Sequence, residues 1–254
     1  MLTFLKRFTG NRKKSEDIAF TSAMVVDRSC VIVGDIHGRF DLLQKLLRKV
    51  DLESPHDLIF LGDYVDRGDH SAEVLRWLYE LDKSERVTCL MGNHEKMLIE
   101  FLDNPIGTGS RWLKNGGLQT LASFGVGGVA EGAGPRALEE AASNLKAALS
   151  YEVEQWLREL PLLFRNGNLV CVHAAVDPAL PLSLQKPSTY LWGHPEFFKT
   201  PRSDGYWVAH GHTVVEDAHA KNGRISIDTG AYHTGRLTAA VIDKNTPIRF
   251  LDTH

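Results

Sequence analysis

The sequence predicts an α/β protein in which two packed β-sheets are covered by helices on their outer faces. In the first half, short apolar runs alternate with amphipathic segments, a pattern typical of a parallel β-α-β unit. In the last third, short β-rich runs follow one another closely, which suits antiparallel or mixed pairing without crossover helices. A chain of 254 residues, 43% of them hydrophobic, is long enough to bury one large core.

The first half predicts three strands, each followed by a helix. The strands are "SCVIV", "DLIFL" and "RVTCLM", and their carboxyl ends run into "GDIHG", "GDYVDRG" and "GNHE". After the first strand, Leu43, Leu46 and Leu47 have the spacing of one buried helical face. Ligand sites of open α/β sheets form in the crevice beyond the carboxyl ends of the strands, so the polar motifs are expected to meet there.

Residues 104–165 differ in composition from the flanking sequence. A glycine-rich run, "GVGGVAEGAG", leads into the helical patterns "PRALEEAASNLKAAL" and "SYEVEQWLREL", which predict a helical insert leaning on the core. The later strands are predicted at "NLVCVHAA", "YWVAHGHT", "RISIDTG", "RLTAAVID" and "PIRFLD". Residues 1–22 are interpreted as a flexible N-terminal arm, and residues 23–254 as a single domain.

Composition excludes several classes of partner. A formal net charge of -3 gives no bulk attraction to nucleic acid or to an anionic membrane. Cys30, Cys89 and Cys171 lie inside apolar runs, which favours a reduced, cytoplasmic protein. The sequence has no apolar stretch approaching the roughly 20 residues of a membrane span, so no stable membrane insertion is expected.

The predicted strand ends carry the donor atoms of a divalent metal site. They offer Asp35, His37, Asp63, Asp66, Arg67, Asn93, His94, His173, His210 and His212. Taken singly, Asp35 or Asn93 could cap a helix and His173 could lie in the core, but those interpretations do not explain why all these residues end strands. Two cations bridged by one carboxylate, together with the planar guanidinium of Arg67, would match a phosphate ester.

The motifs "GDIHG", "GDYVDRG", "GNHE" and "HGHT", in this order, resemble the phosphoprotein phosphatase family of calcineurin-like metallophosphoesterases. The resemblance spans residues 31 to about 242 and is strongest to small bacterial members, which also have segments like "RWLKNGGLQTLASFG". It implies a four-layer α/β/β/α sandwich of two mixed sheets. It also implies a serine/threonine protein phosphatase acting on a phosphorylated protein or a small phosphoester.

The resemblance also implies roles for individual residues. Asp35 and His37 would hold a first metal, Asp63 would bridge, and Asn93, His173 and His212 would hold a second. The ions would be manganese, with iron, zinc, nickel or magnesium as alternatives, and a hydroxide bridging them would attack phosphorus in line. The substrate phosphate would be bound by Arg67 and Asn93, and His94, oriented by Asp66, would act as the general acid.

One position departs from the family pattern. Relatives usually carry a second phosphate-binding arginine in the segment that reads "LWGHPEFF" here, where His194 stands at about the expected place. Arg202 or Arg111 is expected to substitute for it.

Two other functions compete with a protein phosphatase. A dinucleoside polyphosphate hydrolase shares the metal core, but its usual motifs are "GDLV", "RGP" and "GNHD", whereas this chain has "GDYVDRG" and "GNHE". A non-catalytic phosphoprotein-binding relative would have lost a metal ligand or the general acid, and every such position is filled. The motifs therefore rank the protein phosphatase first and leave the physiological target and the oligomeric state open.

Overall fold

The computed structural model describes residues 20–50, 56–244 and 246–254. Most of the predicted N-terminal arm, residues 1–19, lies outside the described residues. Within the described part of the chain, no helix is both long enough and apolar enough to cross a membrane.

The first sheet has the strand order β10-β9-β1-β2-β3. Its strands are β1 (Cys30–Val33), β2 (Asp57–Phe60), β3 (Val87–Cys89), β9 (Thr238–Ile242) and β10 (Arg249–Asp252). The β1, β2 and β3 strands are parallel, and α1 (Phe40–Leu47) and α2 (Ser71–Leu81) connect them, which confirms the predicted unit. The β9 strand pairs antiparallel with β1. The carboxyl ends of β1, β2 and β3 therefore share one edge of the sheet.

The second sheet has the order β4-β5-β6-β8-β7. Its strands are β4 (Leu163–Asn166), β5 (Leu169–Val172), β6 (Trp207–His210), β7 (His219–Lys221) and β8 (Arg224–Ser226). The pairing is mixed, as predicted, but β5, β6 and β8 are parallel and α8 (Pro187–Trp192) connects β5 to β6. The expectation of no crossover helix was wrong, and β4 and β7 were not predicted, because short β-rich runs do not reveal the direction of their partners.

Most of the remaining helices come after β3 and before β4 in the chain. They are α3 (Asn93–Asp103), α4 (Pro105–Trp112), α5 (Leu118–Ser123), α6 (Pro135–Leu149), α7 (Tyr151–Glu159) and α9 (Ala231–Thr234). A π-helical turn, Leu113–Gly117, joins α4 to α5, and a 3₁₀ turn spans Leu182–Leu184. The segment predicted as a helical insert thus contains α4 to α7, with non-helical residues 124–134 between α5 and α6, and its last residues begin β4.

Alternating side chains of β1 show how the layers pack. Cys30 and Ile32 belong to a buried cluster with Cys171 and Ile225 of the second sheet, so these side chains fill the space between the sheets. Val31 and Val33 point to the other face of the sheet and belong to the buried cluster that includes residues of α1, α2 and α3. Successive side chains of a strand point to opposite faces, so a sheet buried on both sides needs apolar residues at every position. The result is a two-sheet sandwich flanked by helices, as the sequence predicted.

Candidate metal centre

The loops that leave β1 and β2 are bonded directly to each other. The Asp63 carbonyl oxygen accepts hydrogen bonds from the backbone N–H groups of Ile36 (3.0 Å) and His37 (2.8 Å). The Tyr64 carbonyl accepts one from Gly38 at 2.8 Å. These bonds fix the spacing between the two polar loops and place the Asp63 carboxylate beside the His37 imidazole.

Glu95 holds the β2 loop to the start of α3. Its buried carboxylate accepts hydrogen bonds from the backbone N–H groups of Asp63 (2.8 Å), Tyr64 (2.8 Å) and Gly92 (3.0 Å). Burial raises the pKa of Glu95 to about 7, the nearby Asp63 carboxylate adds to this rise, and the backbone donors oppose it. Sequence reasoning gave Glu95 no role, although its place in "GNHE" was a usable signal.

Backbone strain is concentrated in these loops. Of the seven non-glycine residues with positive φ in the described chain, five are predicted site residues: His37, Asp63, Asp66, Arg67 and His212, with φ between 47° and 71°. Such conformations are uncommon outside glycine, and they persist where the surrounding structure enforces them. The hydrogen bonds between the loops provide that enforcement.

Asp63 lies at the centre of the cluster. It belongs to two groups of potential metal ligands, one with His37 and His94 and one with His173 and His212, and in each group the donor atoms lie within 4.8 Å of one another. One carboxylate oxygen, Oδ2, is 3.4 Å from His37 Nε2, and the other, Oδ1, is 3.3 Å from His173 Nε2. A carboxylate that faces a different imidazole with each oxygen has the arrangement needed to bridge two ions.

Asn93 extends the second group. Its side-chain oxygen lies 2.8 Å from His173 Nε2 and 2.9 Å from His212 Nδ1. An amide oxygen between two imidazole nitrogens adds a neutral oxygen donor to the carboxylate and nitrogen donors. This mixed set suits a divalent cation and lacks the thiolates of many structural zinc sites.

Two histidines of the ligand groups are oriented by hydrogen bonds to the backbone. His37 Nδ1 is 2.8 Å from the Val65 carbonyl oxygen, and His173 Nδ1 is 3.0 Å from that of Leu61. A carbonyl only accepts, so Nδ1 carries the proton and the lone pair of Nε2 points to Asp63. Burial lowers the pKa of His37 to about 3 and that of His173 to about 4, so both rings are neutral at pH 7.

Asp35 and Asp228 add two more buried acids to the same region. Asp35 is in neither ligand group, and its carboxylate accepts the backbone N–H of His212 at 3.1 Å. Burial raises the pKa of Asp35, and the Asp228 and Asp63 carboxylates raise it further. Burial likewise raises the pKa of Asp228 to about 6. Buried carboxylates that raise one another's pKa are typical of a site that binds cations. Sequence reasoning missed Asp228.

A second set of contacts surrounds His94. Its Nδ1 lies 2.6 Å from Asp66 Oδ2, and an Arg67 guanidinium nitrogen lies 3.0 Å from its Nε2. Burial acts to lower the pKa of His94, but the carboxylates of Asp63 and Asp66 outweigh it, so the pKa is raised. Arg67 also stacks on the half-exposed ring of Tyr232, 4.6 Å from its centroid. Tyr232, another residue that sequence reasoning missed, thus holds the guanidinium beside the cluster.

Arg202 and His210 are engaged elsewhere in the structure. The Arg202 guanidinium is paired with the Asp204 carboxylate and donates to the carbonyls of Asp177 (3.0 Å) and Leu180 (3.1 Å). These bonds use four of the five N–H donors of the guanidinium, and the expectation that Arg202 binds the phosphate stays a prediction. His210 is buried, and its Nε2 is 2.8 Å from Ser226 Oγ, so it is a core residue.

Arg111 and His194 also make contacts outside the ligand groups. Arg111, the other proposed substitute, stacks on Trp192 with its guanidinium carbon 4.5 Å from the ring. His194, at the place of the missing arginine, has Nε2 3.5 Å from the Asp177 carboxylate.

Comparisons with known proteins agree with this geometry. The chain matches the calcineurin-like phosphoesterase family over residues 29–219. It is 28% identical over 233 residues to an asymmetrical bis(5'-nucleosyl)-tetraphosphatase from Oceanobacillus iheyensis, covering 82% of this chain and 86% of that enzyme.

Two solved structures share the fold. A candidate diadenosine tetraphosphatase superposes with a TM-score of 0.63 at 21% identity, covering 92% of this chain and 97% of the other. A protein serine/threonine phosphatase from Saccharomyces cerevisiae superposes with a TM-score of 0.57 at 18% identity, covering 89% and 80%. Together with the family match, which spans most of the chain, these findings show that the chain belongs to the calcineurin-like phosphoesterase family.

Proposed function

We propose that the protein hydrolyses bis(5'-nucleosyl) tetraphosphates in a manganese-dependent reaction. The supporting observation is the similarity to an asymmetrical tetraphosphatase along most of both chains. The "GDYVDRG" and "GNHE" motifs ranked a protein phosphatase first, but they cover only a few residues of the chain. The similarity over 233 residues therefore favours the dinucleotide substrate.

The proposed ligands are those that surround Asp63. Asp63 and His37 would hold one ion, and Asp63, His173 and His212 the other, because these residues share the two ligand groups. The resemblance adds Asp35 to the first set, and the Asn93 oxygen lies between the two imidazoles of the second set. His94 is also in the first group, but it is bonded to Asp66 and is kept as the general acid. When bound, a pair of divalent ions supplies an activated water and offsets the negative charge of the phosphate chain.

The protein's own side chains then act on the phosphate. Arg67 presents a planar guanidinium, held by Tyr232, to the non-bridging oxygens of the phosphoryl group that is attacked. His94, whose Nδ1 is held by Asp66, presents Nε2 to the leaving oxygen and donates a proton to it when the leaving group is too basic to depart as an anion. Arg67 lies within hydrogen-bonding distance of that same Nε2, so the two residues can engage one phosphoryl group.

The His94–Asp66 pair also supports a second candidate function, the hydrolysis of phosphoserine or phosphothreonine. The second pKa of a phosphate is about 6, so a nucleotide phosphate can leave as an anion without a proton. A serine or threonine alkoxide is a poor leaving group and needs a general acid. The buried pair, only 2.6 Å apart, would serve such monoesters.

A direct comparison of substrates decides between the two functions. We expect the manganese-loaded protein to show a higher kcat/KM for diadenosine tetraphosphate than for phosphoserine or phosphothreonine peptides. Unequal cleavage releases a nucleoside monophosphate and a triphosphate, whereas equal cleavage releases two diphosphates, so chromatography identifies the scissile bond. The reverse order of kcat/KM would favour the protein phosphatase, and turnover of neither substrate would reject both proposals.

Chelation tests the dependence on metal. Excess EDTA followed by dialysis should abolish hydrolysis, and added manganese should restore it, because the clustered Asp, His and Asn side chains are the proposed ligands. Undiminished turnover by the chelated protein would contradict the metal-dependent proposal. The same assay with zinc, nickel, iron and magnesium ranks the ions.

A further inference from the structure

The segment "RWLKNGGLQTLASFG" has no role in the proposed reaction, yet it touches the proposed catalytic pair. Trp112, at the end of α4, and Thr120, in α5, both bond to the Asp66 side chain. Trp112 and Asp66 are fully buried, and Thr120 has no exposed surface. The helical segment therefore supplies groups that replace water around the Asp66 carboxylate.

Each carboxylate oxygen of Asp66 is held by more than one donor. Thr120 Oγ1 lies 2.6 Å from Oδ1, and the Trp112 indole nitrogen lies 3.1 Å from Oδ1 and 3.0 Å from Oδ2. His94 Nδ1 approaches Oδ2 at 2.6 Å. With these donors on both oxygens, the plane of the carboxylate is fixed, and rotation about its C–C bond would break bonds on both sides.

Thr120 acts on the Asp66 backbone as well. Its hydroxyl oxygen accepts the Asp66 N–H at 2.9 Å, which leaves the single hydroxyl proton for the Asp66 carboxylate. Ser71 Oγ is farther from the same hydroxyl, at 3.3 Å, and shares the Asp66 N–H at 3.1 Å. The hydrogen bonds from the Asp66 N–H to Thr120 and Ser71 help to hold Asp66 at its positive φ of 71°.

The two glycines between Trp112 and Thr120 explain the spacing of the segment. Gly116 has φ of 102°, and a Cβ there would lie 2.5 Å from the Arg67 backbone nitrogen, which donates to the Gly116 carbonyl at 3.2 Å. A Cβ on Gly117 would lie 2.5 Å from the Trp112 ring. A side chain at Gly116 would push the π-helical turn away from the β2 loop, and one at Gly117 would displace the Trp112 ring. The turn therefore allows one helical segment to reach both Asp66 and Arg67.

We propose that Trp112 and Thr120 are positioning residues for the His94–Asp66 pair, so that the helical segment is part of the catalytic apparatus. The orientation of Asp66 decides where His94 Nδ1 is held and therefore where Nε2 points. This inference rests on the general-acid role in the proposed function. It predicts that loss of either donor selectively slows reactions that need a proton on the leaving oxygen.

The test compares two aryl phosphates that differ in leaving group, p-nitrophenyl phosphate and phenyl phosphate. The nitro group stabilises the departing phenolate, so the unsubstituted phenol depends more on general acid catalysis. For Thr120→Val and Trp112→Phe, kcat for phenyl phosphate should fall roughly 10-fold or more beyond any fall in kcat for p-nitrophenyl phosphate. General acid catalysis contributes roughly 10²- to 10⁴-fold to a rate, and the expected loss is a part of that contribution. Thr120→Ser keeps the hydroxyl and should restore the wild-type ratio.

Matched controls separate positioning from loss of a buried hydrogen bond. Trp156→Phe removes an indole N–H that donates to Asp82 at 2.7 Å. Thr253→Val removes a buried hydroxyl that accepts from Leu237 (3.0 Å) and donates to Gly235 (2.9 Å). Both controls should leave the ratio of the two rates unchanged. Melting temperatures establish that each variant is folded, and Thr120→Ala with Trp112→Phe completes the test if Thr120→Val does not fold.

His94→Asn serves as the reference variant and distinguishes the ways in which the inference can fail. The inference is supported if His94→Asn slows phenyl phosphate hydrolysis more than p-nitrophenyl phosphate hydrolysis and if Thr120→Val and Trp112→Phe show the same difference. The effect in His94→Asn alone, with equal losses on both substrates in the other two variants, overturns the positioning role and leaves the general acid intact. Absence of the effect in His94→Asn overturns both roles, while the dinucleotide assay still judges the proposed substrate.

Discussion

The two sheets contribute different chemistry to the candidate metal centre. Loops of the first sheet supply the carboxylate that both ligand groups share, Asp63, and are joined by backbone hydrogen bonds and by Glu95. The loops that follow β5 and β6 in the second sheet supply His173 and His212, whose pKa values are lowered mainly by burial. The difference shows that the first sheet provides the shared negative charge and a backbone held by Glu95, whereas the second sheet adds neutral imidazole donors and the Asp228 carboxylate, which lies outside both ligand groups.

The largest expected effect follows removal of the carboxylate that both ligand groups share. We expect Asp63→Asn to lose both ions and to lose far more activity than the roughly 10- to 100-fold typical of changes behind the ligands. Elemental analysis of the purified protein gives the metal content, and phosphate release gives the rate. Two ions retained with wild-type turnover would show that Asp63 is not the bridging residue.

A smaller effect is expected when a ligand of only one group is removed. His212→Ala should lower the metal content by one ion per chain, because Asp63 and His37 of the other ligand group remain. The matched variant, His37→Ala, should also retain one ion, at the opposite position. Anomalous scattering from manganese-soaked crystals identifies which position is filled. Loss of both ions in each variant would show that the two halves of the centre are not independent.

The fixed backbone of the first-sheet loops can be tested through stability. Glu95→Gln replaces one of the two oxygens that accept backbone N–H groups with an NH₂ donor and should lower the free energy of unfolding by about 1–3 kcal/mol. Urea unfolding of the metal-free protein measures this without a contribution from bound ions. Glu100→Gln, on the same helix but at the surface, is the control and should change stability little. Equal stabilities of the two variants would mean that the Glu95 bonds do not stabilise the loop.

The smallest effect on activity is expected for Arg202, whose guanidinium is bonded to Asp204 and to backbone carbonyl groups. Arg202→Met should leave kcat/KM nearly unchanged but lower the melting temperature, because Arg202 bonds to Asp204 and to the carbonyl groups of Asp177 and Leu180. Arg67→Met should raise KM, since Arg67 faces His94. An increase in KM for Arg202→Met without a change in stability would support its predicted role in phosphate binding.

Much of the fold was accessible from local patterns. The alternation of apolar runs and amphipathic segments predicted β1, β2 and β3 with their helices, because burial on both faces requires a continuous apolar run. The direction of the later strands was not accessible. A short strand such as β8 has similar side-chain requirements beside a parallel or an antiparallel partner, and the partner is chosen by packing far along the chain.

The sequence by itself determined the kinds of donor atom and their place at strand ends. The family resemblance already favoured His212 over His210 as a ligand, but only the tertiary structure shows the reason: His212 lies beside Asn93, whereas His210 bonds to Ser226 in the core. Only the tertiary structure likewise paired Arg202 with Asp204 and brought Trp112 to Asp66. The physical reason is range: strand and helix patterns arise from neighbouring residues, whereas the partner of a polar side chain depends on which distant segments are packed against it.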